Sequence, residues 1–260
     1  SSFINVTVNG FVDNYNMIMN SAANVVNIVF NSVLSSFGNL IATESKDRQY
    51  ELFKVYRFAA SWIYGFAAVG FAILLTPFIT LWVGAERTLA FSVIGCILID
   101  FYFKGERIVL SNFKTAAGVF EQDKYLALIQ GVVNLIISIV LVVRIGLVGV
   151  YIGTIVSGLI AKVTKPIIIY HVILDRKAGE YFRDSVKYCL LLVVQYGIFY
   201  GISGIIMKEI TILTFFVMFV IICVVFNGIF LMVFRKAGEF QYLVTIVRRK
   251  IDERKVRYYI

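Results

Sequence analysis

The sequence is short of charge, cysteine, histidine and proline. Charged residues make up 16% of its 260 positions, against about a quarter in soluble domains. Three Cys and one His leave no basis for a disulfide scaffold and no ligand set for a protein-only metal site. Two Pro permit long, nearly unbroken helices. Strand-like alternation is absent, which argues against a β-barrel. No Gly-rich phosphate loop, paired-carboxylate signature or nucleophile elbow occurs, so no enzyme chemistry, cofactor site or ATP hydrolysis is expected.

What fills the chain is apolar: 60% hydrophobic, with a mean hydropathy of +0.84. A soluble protein of this length could not hide that much apolar surface, so the sequence reads as an all-α polytopic membrane protein. Uncharged runs over 14–43, 58–85, 88–99, 125–143, 145–161, 188–207 and 210–234 place the spans. Backbone groups must be paired within lipid, so each run is expected to be a helix of about 20 residues. The reading gives seven spans, near 17–41, 58–82, 89–111, 126–143, 147–170, 187–207 and 210–234. They form a helical lobe over residues 1–238, followed by a basic amphipathic tail over 239–260.

The net charge of +9 is mainly a topology signal. Alternate connections and the tail hold 20 Lys and Arg on one side, against Arg87, Arg144 and Lys208 on the other. The positive-inside rule then puts the C-terminus in the cytoplasm. Seven spans put the N-terminus outside, yet the chain begins Ser1-Ser2 with no signal peptide. The parity is expected of a chain that lacks an N-terminal part with an odd number of spans.

Polar residues inside the spans are the candidate site. Asn16, Asn20, Asn24, Asn27 and Asn31 recur at helical spacing within roughly 80° of arc. Ser35 and Gly38 extend that face. Such a stripe is either the wall of a wet, sugar-contacting cavity or a helix–helix seam that uses Asn as packing glue. The third span carries Asp100, Lys104 and Arg107. Asp100 and Lys104 can pair at i,i+4, as an internal salt bridge. Alternatively, Asp100 carries a coupling ion while Lys104 and Arg107 attract a phosphate.

Gln130, Asn134, Gln195 and Asn227 are expected to form interhelical hydrogen bonds. Lys162 and Lys165 are expected to snorkel. Gly149-x-x-x-Gly153 and Gly197-x-x-x-Gly201 permit close helix approach, and Pro77 is expected to kink the second span. Phe240, Leu243, Val244, Val247 and Ile251 share a face of a tail helix that would lie on an anionic leaflet, beside Arg248, Arg249, Lys250, Arg254, Lys255 and Arg257. Nucleic acid is not an expected partner.

Several stretches resemble a known family. They are Asp13-Asn14-Tyr15-Asn16-Met17-Ile18-Met19-Asn20, Ser35-Ser36-Phe37-Gly38-Asn39-Leu40-Ile41-Ala42 and Phe78-Ile79-Thr80-Leu81-Trp82-Val83-Gly84. To these add Ala117-Gly118, Asn134 to Ile139 and Gly146 to Thr154. In order and spacing over residues 10–182 the chain resembles bacterial capsule and O-antigen repeat-unit flippases. These form the polysaccharide branch of the multidrug/oligosaccharidyl-lipid/polysaccharide exporter superfamily. The resemblance implies two helical lobes around a central cavity, in the bacterial cytoplasmic membrane. It implies transport of an undecaprenyl-diphosphate-linked oligosaccharide by alternating access, with membrane lipids and other polysaccharide assembly proteins as partners. The seven spans would be the second lobe, with the N-terminal lobe missing. A cation-coupled drug or metabolite antiporter of the same superfamily, a membrane enzyme and a truncated, non-transporting remnant are the competing readings.

Overall fold

A computed structural model describes residues 6–258, with the side chains of 6–9, 123, 247 and 250–258 left out. Among the described residues the chain is helical throughout, without a strand. Helix α1 runs Val6–Asn31, α2 Leu34–Thr43, α3 Lys46–Val83 and α4 Phe91–Ala116. Helices α5 (Leu126–Ile145), α6 (Leu147–Val172), α7 (Gly179–Ile206), α8 (Ile212–Phe234) and α9 (Gly238–Tyr258) complete it. The protein is an all-α polytopic membrane protein.

With α1 and α2 taken as one stretch over Gly10–Thr43, six helices are long and apolar enough to cross a membrane. The others are α3, α5, α6, α7 and α8. The sequence reading counts seven, and the difference is α4. Its 26 residues are long enough, but Asp100, Lys104, Glu106 and Arg107 crowd its middle. The first predicted span is also not continuous. The helix breaks at Ser32–Val33, and the Asn112 amide of α4 donates to the Phe30 carbonyl at 3.0 Å. That bond satisfies a carbonyl at the end of α1 that its own helix leaves free.

Helix α3 is the hub. It begins twelve residues before its apolar run, behind the Ser45 N-cap, and packs on α1, α4, α7, α8 and α9. Pro77 lies within it, and the helix continues to Val83. Aromatic rings make the core: Phe53, Phe58, Phe113, Tyr170, Tyr181, Phe226 and Phe230 are all almost fully buried. Trp62 of α3 stacks on Phe230 of α8 with centroids 4.9 Å apart.

Helices α5 and α6 form a tight hairpin. A Cβ on Gly149 would sit 2.5 Å from the Leu141 carbonyl carbon, so glycine is what lets the backbones touch. Gly197 and Gly201 do otherwise: a Cβ at either meets nothing within 4 Å. That predicted close approach does not occur, because the glycine face of α7 points away from its neighbours. The first turns of α9 lie against the body, with Phe240 and Leu243 packed on the core and Tyr242 accepting from Arg48 at 3.1 Å. The tail residues Val247, Lys250, Ile251, Arg254, Lys255 and Arg257 lie outside the described side chains.

Candidate functional site

The asparagine stripe holds its spacing in the folded chain. Steps of three and four residues along α1 aim Asn16, Asn20, Asn24, Asn27 and Asn31 toward α3 and α4. Together they line one cavity of about 410 Å³. Opposite them stand Tyr64 of α3 and Ile97, Asp100, Phe101, Lys104, Ile108 and Ser111 of α4. Within this chain Asn20, Asn24 and Asn31 are exposed, while Asn16 and Asn27 are half-buried. Ser35 and Gly38 are not part of the lining, because the break at Ser32–Val33 ends the stripe.

The stripe is tied to α3. The Tyr64 hydroxyl donates to Asn27 Oδ1. Tyr64 reaches that position because Gly105 leaves room: a Cβ there would fall inside the Tyr64 ring. Nothing in the sequence singles out Tyr64, which is one aromatic among many in an uncharged run.

Asp100 and Lys104 form the i,i+4 salt bridge that the spacing predicts, with Nζ 2.6 Å from Oδ2. The Asp100 side chain is 13% exposed and that of Lys104 is 64% exposed, so the acid is inward and the ammonium sits at the mouth. Arg107 is not hydrogen-bonded to them, though it lies within electrostatic reach of Asp100. Its Nε donates to Phe103 O at 3.1 Å and its Nη1 to Gly158 O of α6 at 3.5 Å. Three residues from Lys104 along a helix is still the same broad face, but Arg107 is drawn around the helix toward α6 by that carbonyl.

A second polar centre was not foreseen. Glu106 of α4 is 1% exposed and lies between two cations from other helices. Lys162 Nζ of α6 is 3.0 Å from Glu106 Oε2, and Arg57 Nη2 of α3 is 3.8 Å from Oε1. Ser185 of α7 donates to Glu106 Oε1. Arg57 donates to Tyr181 O at 2.6 Å and Ser185 Oγ at 2.8 Å, and lies over the Tyr181 ring at 3.7 Å. Asp184 approaches Arg57 Nη1 at 3.8 Å. Lys162 therefore does not snorkel: a buried carboxylate holds it inside the protein, with its Nζ over the Phe103 ring at 3.7 Å.

The isolated amides divide. Asn227 accepts from Trp62 Nε1 at 2.9 Å, joining α8 to α3. Asn134 donates to Thr154 at 3.5 Å, joining α5 to α6. Gln130 instead donates to Leu126 O on its own helix, where an exposed face offers no neighbour. Gln195 is fully buried and neither amide atom has a partner, against the expected interhelical bond. His171 is exposed, and the three cysteines are free. Among the described residues no group of three or more His, Cys, Asp or Glu is placed to hold a metal ion.

No protein-family model matches the chain. No curated protein matches it, and no solved structure does.

Proposed function

We propose that this chain is the sugar-contacting lobe of a flippase that moves undecaprenyl-diphosphate-linked oligosaccharide units across the bacterial cytoplasmic membrane. The observation that carries the reading is the 410 Å³ cavity, in which five asparagine amides converge. Each amide offers donors and an acceptor, and so does each sugar hydroxyl, so the two surfaces match group for group. Its size is that of a small-molecule site. A hydroxyl-rich head group cannot cross hydrocarbon unaided, and a polar cavity walled by helices shields it. The motif order over residues 10–182 supports the same reading, and implies a second lobe opposite the cavity.

In this proposal α4 is the seventh span. Its charges are tolerated because Asp100 and Lys104 face the cavity while Glu106 and Arg107 face protein. The excess of Lys and Arg puts the C-terminus on the cytoplasmic side. The chain does no covalent chemistry and needs no cofactor.

Replacing Asn20, Asn24 and Asn27 by Leu tests the function. Surface polysaccharide in the source cell is expected to fall sharply while protein level holds. Undiminished polysaccharide at normal expression would sink the proposal.

A further inference from the structure

We infer that Tyr64 is a positioning residue of the asparagine-lined cavity: it fixes the Asn27 amide with its donors toward the ligand, so the site favours a carbonyl oxygen there over a hydroxyl. The inference rests on the sugar-binding reading above and narrows the substrate class of the same site to glycans with N-acylated units. It starts from how the amides are held. An asparagine amide turns readily about its last bond, and its two ends do opposite things, since the oxygen accepts and the nitrogen donates. Asn20, Asn24 and Asn31 are exposed, and among the described residues no hydrogen bond orients their side chains.

Asn27 differs. Its Oδ1 accepts the Tyr64 hydroxyl proton, so the acceptor end is turned to α3 and engaged. The other end, Nδ2, keeps both N–H groups for whatever enters the cavity that Asn27 lines. Tyr64 has no room to give way. It is 3% exposed, and its ring lies against the Gly105 backbone and 5.4 Å from the Phe101 ring. A fixed hydroxyl therefore means a fixed amide. A carbonyl oxygen only accepts, and meets these N–H groups without rearrangement. A hydroxyl must turn its proton away and find an acceptor for it, and the Asn27 oxygen is already taken. The competing bland account is that the bond merely ties α1 to α3, in which case losing it would move all affinities together.

The experiment uses the full chain purified in detergent and titrated with two probes by saturation-transfer NMR. These are triacetylchitotriose and cellotriose, which share one backbone linkage and carry no charge. They differ in an acetamido group that replaces a ring hydroxyl. The wild-type chain is expected to bind the acetylated probe about fivefold more tightly. Tyr64→Phe keeps the ring but lets the amide turn, and the acetylated-to-plain affinity ratio is expected to fall about threefold. Asn27→Asp still accepts from Tyr64 but puts an oxygen where the donors stood, and the ratio is expected to fall about tenfold. The second variant keeps the test alive if the first does not fold.

Equal binding of the two probes by the wild-type chain, or a ratio unmoved in either folded variant, would overturn the inference. Asn20→Leu/Asn24→Leu separates the two levels of the argument. If that variant binds both probes as wild type does, or if wild type binds neither, the sugar-cavity reading fails and takes the inference with it. If both affinities drop there while the ratio never moves in Tyr64→Phe or Asn27→Asp, only the positioning role of Tyr64 fails.

Discussion

Lys162 of α6, its side chain 14% exposed, places its ammonium 3.0 Å from the fully buried carboxylate of Glu106 on α4. With Arg57 and Ser185 on the other oxygen, this one carboxylate ties α3, α4, α6 and α7 together. The charges nearly balance, since Asp184 also approaches Arg57. Breaking such a buried pair costs far more than its formation contributes, because the abandoned charge has no water to turn to. Lys162→Met is therefore expected to destabilise the chain by about 3 kcal/mol, read as a drop in thermal unfolding temperature in detergent. Adding Glu106→Gln should recover part of the loss, so the double variant falls short of the summed singles. Strict additivity would show that the two groups do not interact.

Gln195 supports an opposite expectation. Its amide is fully buried with neither atom partnered, so it costs desolvation and returns nothing. Gln195→Leu is expected to leave stability unchanged or raise it by about 1 kcal/mol. A clear loss in the same unfolding assay would mean that the amide has a partner after all.

The two glycine motifs should separate cleanly. Gly149→Val drives a methyl-bearing carbon into the Leu141 backbone, which cannot rotate aside. A loss of about 1–3 kcal/mol is expected, together with a rise in mobility of a spin label on α5. Gly201→Val enters open space and should change stability by less than about 0.5 kcal/mol.

Asn227 accepts the Trp62 indole hydrogen bond at 2.9 Å. Asn227→Leu leaves that donor stranded and is expected to cost about 1–2 kcal/mol. The indole fluorescence should shift as well. Trp62→Phe should then cost less in the Asn227→Leu background than in the wild-type chain, because the bond is already gone and only the lost ring packing remains.

The asparagine stripe and the Asp100–Lys104 bridge were legible because each is a relation within one helix, fixed by about 100° per residue. The Glu106 centre was not, because it gathers four helices and no local spacing announces it. Arg57 read as a loop charge, since the uncharged run begins only at Phe58, yet α3 starts at Lys46 and carries Arg57 into the protein. Lys162 read as a snorkelling residue for the same reason: its partner lies on another helix. The six-residue step from Asp100 to Glu106 is about 240° around α4, so one faces the cavity and the other the protein. The two carboxylates share a helix but not an environment. The break at Ser32–Val33 was also invisible, because no Gly or Pro marks it.

The joint between α5 and α6 is a single residue, Gly146, at φ +62°. It ends one helix and begins the next, so there is no slack by which either could turn alone. Helix α5 shows almost all of its surface to the outside and touches the rest of the fold chiefly through α6. It is a handle on the outside of the molecule: whatever tilts α6 swings α5 through a larger arc. A reporter on α5 would thus record, at the protein's edge, displacements that begin at Lys162.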